Sequence, residues 1–460
     1  MLSSDNFYIL SVRPYDPGQT TGCNDERASL FKYSRAISMY MVMKMATKNK
    51  LTFLGAAGEV GRSSILISSQ DEIMLDCGLK IHTDTPYPME PPAQPDFVVL
   101  SHAHLDHSGF TPALYRHNTP EMICTPATAA MAEIIIDDSM RLMEKRGEFP
   151  YRPAQIKQLH ENTTLLSYKK QHEIGQSTVT LHQAGHIPGA SFVEVDTGSA
   201  RVVYTGDFKG EETKTTFASE PPPVNPDALV IESTYSDRDH PQRKDLEIQM
   251  KALVEETLGQ GGTVLLPAFA IGRTQELIRI VRSFNRDVDL WVDGMGWRVC
   301  EALSHHSHYM KDFKQFRHDM ETCTPILHPS ARGKVLRRPG VIIATAGMLQ
   351  GGPALGYLLK MSPESRAIFT GYCVEDTNGY NLINKGYVEY DGVKIKPKAP
   401  WSYLDFSAHA GRAELFGLVE KLKPKKVFCI HGDSCQKFAD ELALEGFDAT
   451  APALGDTVEI

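Results

Sequence analysis

The chain has 460 residues, 42 % of them apolar and 23 % charged, which is enough for two or three packed domains and excludes a disordered or fibrous protein. Against 48 Lys and Arg stand 57 Asp and Glu, a net charge of −9, so attraction of nucleic acid to the whole surface is excluded and any such binding has to be local. No apolar run reaches the ~18 residues of a spanning helix, which argues against a membrane partner, and the eight scattered cysteines form no CxxC pair, which argues for a reducing cytoplasm over a disulfide scaffold.

Residues 1–45 carry no strand or helix period and read as an N-terminal extension. The cluster Met39, Met41, Met43 and Met45 offers the alternative of a start placed too far upstream. Regular patterning begins at Lys50-Leu51-Thr52-Phe53-Leu54. From there short β-rich runs alternate with longer amphipathic ones. The runs include Phe97 to Leu100, Val202 to Tyr204, Leu229 to Ile231, Val264 to Leu266, Val341 to Ile343 and Val427 to Ile430. Helical patterns cover Thr274 to Phe284 and Ala413 to Leu422. The alternation predicts an α/β architecture. Glu220-Pro221-Pro222-Pro223 reads as a rigid connector, and Lys396 to Pro400 as a domain crossing.

Polar residues follow these strand-like runs closely: Asp76 after Leu75, His102 after Leu100-Ser101, Asp207 after Thr205-Gly206, Glu232 after Ile231 and His431 after Ile430. Side chains just past the carboxyl ends of buried strands collect on one rim of an α/β layer. Ser101-His102-Ala103-His104-Leu105-Asp106-His107 is the strongest local signal. His102 and His104, two apart on extended backbone, can point the same way. Asp106 and His107 lie beyond them and can face a second ion. Imidazole and carboxylate together suit zinc better than manganese or iron. His186 in a Gly/Pro-rich turn, Asp207 and His431 are the later candidates needed to complete such a site.

Asp76 in Leu-Asp-Cys-Gly, the HxHxDH run, His186 and Asp207, in that order, resemble the successive motifs of the metallo-β-lactamase superfamily. The resemblance implies an αββα sandwich with a two-zinc site on its rim. It assigns His102, His104 and His186 to one zinc and Asp106, His107 and His431 to the other. Asp207 bridges both, and Asp76 orients the ligands. The 224 positions from Asp207 to His431 are more than a plain hydrolase of this superfamily uses, and resemble the β-CASP group of nucleases, in which an α/β domain is inserted. Glu232 in Ile-Glu-Ser-Thr-Tyr, His409 in Asp-Phe-Ser-Ala-His-Ala and His431 match its three further motifs. A histidine at the third goes with RNA. Gly411 departs from the pattern, which would place an acid there.

The match is nearest to archaeal relatives of the cleavage and polyadenylation endonuclease, of the short class without KH domains, and runs from about Leu51 to Ile460. It implies domains at 46–236 (sandwich, first part), 237–399 (β-CASP) and 400–460 (sandwich, C-terminal part). The implied activity is zinc-dependent hydrolysis of single-stranded RNA, endonucleolytic or 5′–3′ exonucleolytic, in processing or decay. His409 would protonate the leaving oxygen, with Glu232 fixing its tautomer. A homodimer and an RNA-processing or exosome-type complex are the implied assemblies. The alternatives are a DNA nuclease, a small-molecule hydrolase, or a non-catalytic RNA-binding subunit. The long insertion and filled ligand positions weigh against them.

Within the insertion, Leu266 to Glu276 reads as strand, Gly-marked turn and helix start, with Arg273 as a phosphate seat. Ala344 to Pro353 is a second strand-to-loop passage, in which Thr345 and Gly347 allow close approach of a sugar-phosphate chain. Ser407, beside His409, joins these RNA-contacting candidates. The run His305-His306-Ser307-His308 reads as a solvated face, and His160, His172, His182 and His240 are set aside as lacking partners.

Overall fold

The computed structural model of the chain describes residues 49–80 and 83–460; the expected extension over 1–45 lies outside the described residues. Two seven-stranded sheets carry the first and last parts of the chain. In one, the strands run in the order Thr457–Glu459, Lys50–Phe53, Ile65–Ser68, Glu72–Leu75, Phe97–Val99, Glu121–Cys124 and Thr163–Leu165. In the other the order is Ala449–Thr450, Lys426–Ile430, Ala228–Glu232, Arg201–Tyr204, Ser191–Asp196, Ser177–Gln183 and Gln171–Ile174. Alternate residues of the first sheet (Leu51, Phe53, Ile65, Ile67, Ile73, Leu75) meet alternate residues of the second (Val193, Val195, Val202, Tyr204, Val230, Phe428) in one buried cluster, as period-two strands packed face to face require. Phe53 and Phe428 touch across it with ring centroids 5.3 Å apart. The outer faces are covered by helices, among them Pro126–Lys145, Arg412–Leu422 and Cys435–Leu444. This is the αββα sandwich that the resemblance implied.

The insertion builds a third, six-stranded sheet, ordered Thr324–Ile326, Leu290–Asp293, Gly340–Ala344, Thr263–Pro267, Arg366–Phe369 and Trp401–Tyr403. Every pair in it is parallel. Its two central strands are buried on both faces, which is why they read as unbroken apolar runs. Trp401–Tyr403 is the edge strand here, paired to Arg366–Phe369. The Pro-containing passage expected as a crossing leads into this edge strand.

The loop Ala268–Gly272 at the carboxyl end of a central strand reaches the sandwich. A Cβ on Gly272 (φ +75°) would lie 2.5 Å from Ile187 Cγ2, beside His186. Within the sandwich, Ser63 and the segment after Glu72–Leu75 are laced to the turn that carries Asp106 and His107. Ser63 N donates to Asp106 O (2.8 Å), Cys77 N to His107 O (2.8 Å) and Leu79 N to Leu105 O (2.9 Å). At this crossing a Cβ on Gly78 would sit 1.8 Å from Asp106 O. Gly78→Ala should therefore push that turn outward and lower unfolding stability by ~1–3 kcal/mol. Urea denaturation measures the loss; an unchanged midpoint would contradict this packing.

Candidate metal centre

Strand ends deliver the side chains. Asp76 leaves Glu72–Leu75 with left-handed backbone (φ +55°), and His431 leaves Lys426–Ile430 likewise (φ +53°). Non-glycine residues hold this conformation only where their surroundings enforce it. His102 and His104 lie on the segment after Phe97–Val99, and Asp106 and His107 on the one-turn helix Leu105–Ser108. His186 sits in the turn between Ser177–Gln183 and Ser191–Asp196, Asp207 follows Arg201–Tyr204, and Glu232 ends Ala228–Glu232.

The Asp76 carboxylate is fully buried and saturated with donors. Ser101 gives its N–H (2.7 Å) and its hydroxyl (2.6 Å), Tyr204 its hydroxyl (2.8 Å), and His107 Nδ1 lies at 2.7 Å. With Nδ1 held there, His107 turns Nε2 toward Asp207 Oδ2, 3.4 Å away. Around the same oxygen stand His102 Nε2 (3.5 Å) and His186 Nε2 (3.7 Å), while His431 Nδ1 is 3.4 Å from Oδ1. His104 Nδ1 is 3.2 Å from His102 Nε2 and 3.0 Å from His186 Nε2. His431 Nε2 is 3.3 Å from Asp106 Oδ2. His186 Nδ1 is anchored on Ala408 O at 2.9 Å. His409 Nδ1 faces Glu232 Oε2 at 3.1 Å, and Glu232 Oε1 accepts from Phe208 N.

Two groups of candidate ligand atoms result: His102, His104, His186 and Asp207, then Asp106, His107 and His431. A third group, Asp207, Glu232 and His409, adjoins them. Burial and the His107 imidazole hold His102 well below the usual histidine range, and burial with His409 does the same to His186. Both are thereby neutral, with a lone pair to offer. Burial alone would raise the Asp207 carboxyl, but His431 and His107 hold it well below its ordinary value. Burial alone would lower His409, but Glu232 and Asp207 push it up to about 9. Three imidazole nitrogens crowded within hydrogen-bond distance beside buried Asp207, whose Oδ1 has no hydrogen bond, suit a shared cation. Nitrogen and carboxylate donors in this mixture fit zinc.

Of the RNA-contacting candidates, Ser407 adjoins the third group and the others belong to the insertion. Arg273 begins the helix Arg273–Phe284, and its buried Nε has no hydrogen-bond partner. Burial and neighbouring Arg243 pull its guanidinium down to about 10. Ser407 Oγ accepts from His409 N at 3.1 Å. Thr345 packs on Gly294, and Gly347 on Ala268 and Phe269. At Gly411, where the pattern departs, the neighbour is an acid from another segment. Asp239 Oδ1 accepts from Ala413 N (2.8 Å) and stands 3.0 Å from where a Cβ at 411 would be. The run His305–His308 joins no such group among the described residues. The expectation that His172, His182 and His240 lack partners is corrected: they meet Glu121 (2.9 Å), Glu194 (2.8 Å) and Asp405 (3.4 Å). Ser101, Tyr204 and Thr234, whose hydroxyl is 3.2 Å from His431 Nδ1, were missed. Tyr204 could have been suspected from its place in the strand that delivers Asp207.

Three family models match the chain: "Metallo-beta-lactamase superfamily" over residues 57–239, "Beta-Casp domain" over 274–382 and "Zn-dependent metallo-hydrolase RNA specificity domain" over 393–452. A "Probable RNase MJ4" of Methanocaldococcus jannaschii is 33 % identical, covering 89 % of this chain and 100 % of its own. An "RNase aCSPSF2" of Saccharolobus solfataricus is 33 % identical over 89 % of this chain and 85 % of its own. A "Transcription termination factor FttA" of M. jannaschii is 30 % identical over 85 % and 68 %. The crystal structure of a protein of unknown function from Enterococcus faecalis V583 shares the fold, with TM-score 0.58 at 14 % identity over 90 % of this chain and 100 % of that one.

Asp76→Asn removes one acceptor from a saturated, dry site. It should cost roughly 1–3 kcal/mol of stability and about 10–100-fold in zinc affinity, since it frees His107. Thermal denaturation with and without added zinc reads both; a zinc-induced shift equal to that of the unaltered protein would contradict the role of Asp76.

Proposed function

The chain belongs to the β-CASP group of the metallo-β-lactamase superfamily, and on that premise we propose that it is a ribonuclease hydrolysing phosphodiester bonds of single-stranded RNA with two zinc ions. The observation that carries the proposal is the pair of ligand groups meeting at Asp207, with His409 and Glu232 alongside. Zinc, when bound there, supplies Lewis acidity toward the phosphodiester. Asp207 serves both groups, one oxygen facing His102, His107 and His186 and the other facing His431. His409, with Nδ1 toward Glu232, keeps Nε2 for a proton that passes to the leaving oxygen as the P–O bond breaks and a water oxygen takes its place. The charge near Glu232 and Asp207 favours the protonated imidazole.

Arg273 is the phosphate seat in this reading, on the strength of a buried guanidinium edge that nothing in the described chain satisfies. Ser407, Thr345 and Gly347 line the onward path of the strand. The acidic surface is compatible with this, since the cations and a few basic side chains act at short range. Among the described residues no helix is long and apolar enough to cross a membrane. A cytoplasmic site of action is supported by seven described cysteines, all free and buried. A homodimer and an RNA-processing assembly complete the proposal; sedimentation velocity tests the dimer, and a monomer mass at micromolar concentration contradicts it.

Asp207→Asn should lower RNA cleavage on the order of 10²–10³-fold or more without loss of fold by circular dichroism. His409→Ala should slow turnover by roughly 10²–10⁴-fold while the metal content stays that of the unaltered protein. The readout is digestion of end-labelled RNA, with a matching DNA strand in parallel. Full activity of either variant, or cleavage of DNA alone, would overturn the reading.

A further inference from the structure

Beside the metal cluster lies a second polar cavity of about 290 Å³, walled by Asp239 to Arg243 on one side and Asp405, Phe406 and Ser407 on the other. The same loop forms both sites. Asp405 and Ser407 face the cavity, Ala408 O holds His186, and His409 meets Glu232. The Tyr235 ring bridges them, 4.6 Å from His240 and 6.0 Å from His409 between centroids. His240 is an unusual wall residue. Its side chain is only 8 % exposed and its Nδ1 faces Asp405 Oδ2 at 3.4 Å. Its Nε2 is buried and has no partner, as do Asp405 Oδ1 and Glu414 Oε1. Buried polar atoms are rarely left so, and with Arg243 Nε there are four of them on residues lining this cavity, three placed to accept and one to donate, which indicates a ligand that both donates and accepts hydrogen bonds.

Charge narrows the class. Of the cations that line the cavity, Lys209 pairs with Glu414 (2.7 Å) and Arg243 with Glu276, although Arg243 keeps a buried Nε without a hydrogen bond; carboxylates outnumber them. Glu211, Glu212 and Asp239 add further negative charge. A phosphate is repelled by such a wall, whereas a hydroxyl is welcome on carboxylate lone pairs. We propose that this cavity holds the ribose of the nucleotide next to the scissile phosphate, with its 2′-hydroxyl on the His240–Asp405 pair. It would thus be a subsite that distinguishes RNA from DNA at one position. The inference rests on the ribonuclease reading. His240 and Asp405 act here as specificity residues, adjacent to the ligand groups but not members of them.

The test is a single-turnover cleavage series on one RNA oligonucleotide carrying a single 2′-deoxy nucleotide at each position around the cut, with the full chain loaded with zinc. Wild type should lose about tenfold or more at one flanking position. In His240→Ala and in Asp405→Asn the all-ribose rate should fall toward that deoxy level, and the deoxy penalty should vanish. A merely structural role would slow both substrates alike and leave the penalty intact, which overturns the proposal. So does a wild type that cleaves RNA with no deoxy-sensitive position, or one sensitive only to an abasic nucleotide, which would assign the cavity to the base. Failure to cleave the all-ribose parent at all is a different result: it removes the ribonuclease reading, and this inference with it.

Discussion

Asp207 is almost wholly withdrawn from water, and a bare carboxylate in such a place costs several kcal/mol unless positive charge or donors converge on it. Five imidazoles approach it within 3.9 Å, yet one of its oxygens has no hydrogen bond. Much of the architecture serves that convergence. Strands of both sandwich sheets end beneath the same rim. Two residues accept left-handed backbone there, and one turn is laced to its neighbour so tightly that only glycine fits at 78. The ligand-bearing segments are separated by tens to hundreds of residues, so the cluster is a property of the completed sandwich and of no single segment.

The inserted domain contributes chemistry by position. Its parallel sheet is buried on both faces, which leaves the loops at the carboxyl ends of its strands as the places where a ligand can be met. One of those loops abuts Ile187, next to His186, and opens into the helix that begins with Arg273. The connection back into the sandwich, from Asp405 to His409, then touches the polar cavity and the candidate metal ligands in turn. A chain with net negative charge can in this way confine its attraction for an anionic polymer to one cleft.

Most of the candidate ligand positions were legible because they follow short apolar runs, and strand-end placement depends on local pattern; His186, in a Gly/Pro-rich turn, joined them through the family resemblance. The neighbours that hold those ligands were not legible in the same way. Tyr204 reaches Asp76 only because two sheets pack face to face, and Thr234 meets His431 only through strand pairing across 197 residues. His240 and Asp405, 165 residues apart, likewise have no local signature. Asp239, 174 residues from Ala413, packs beside Gly411 and accepts from Ala413 N, a neighbour that a motif read along the chain cannot register. The edge strand Trp401–Tyr403 escaped notice for a simpler reason: three residues are too short to stand out beside a Pro-containing passage.

The central claim is that divalent cations sit between these imidazoles and carboxylates, and anomalous diffraction at the zinc absorption edge addresses it most directly. The account predicts two peaks per chain, one bounded by His102, His104 and His186 and one by Asp106, His107 and His431, each in contact with Asp207. A zinc-soaked crystal with no peak between those side chains would contradict it.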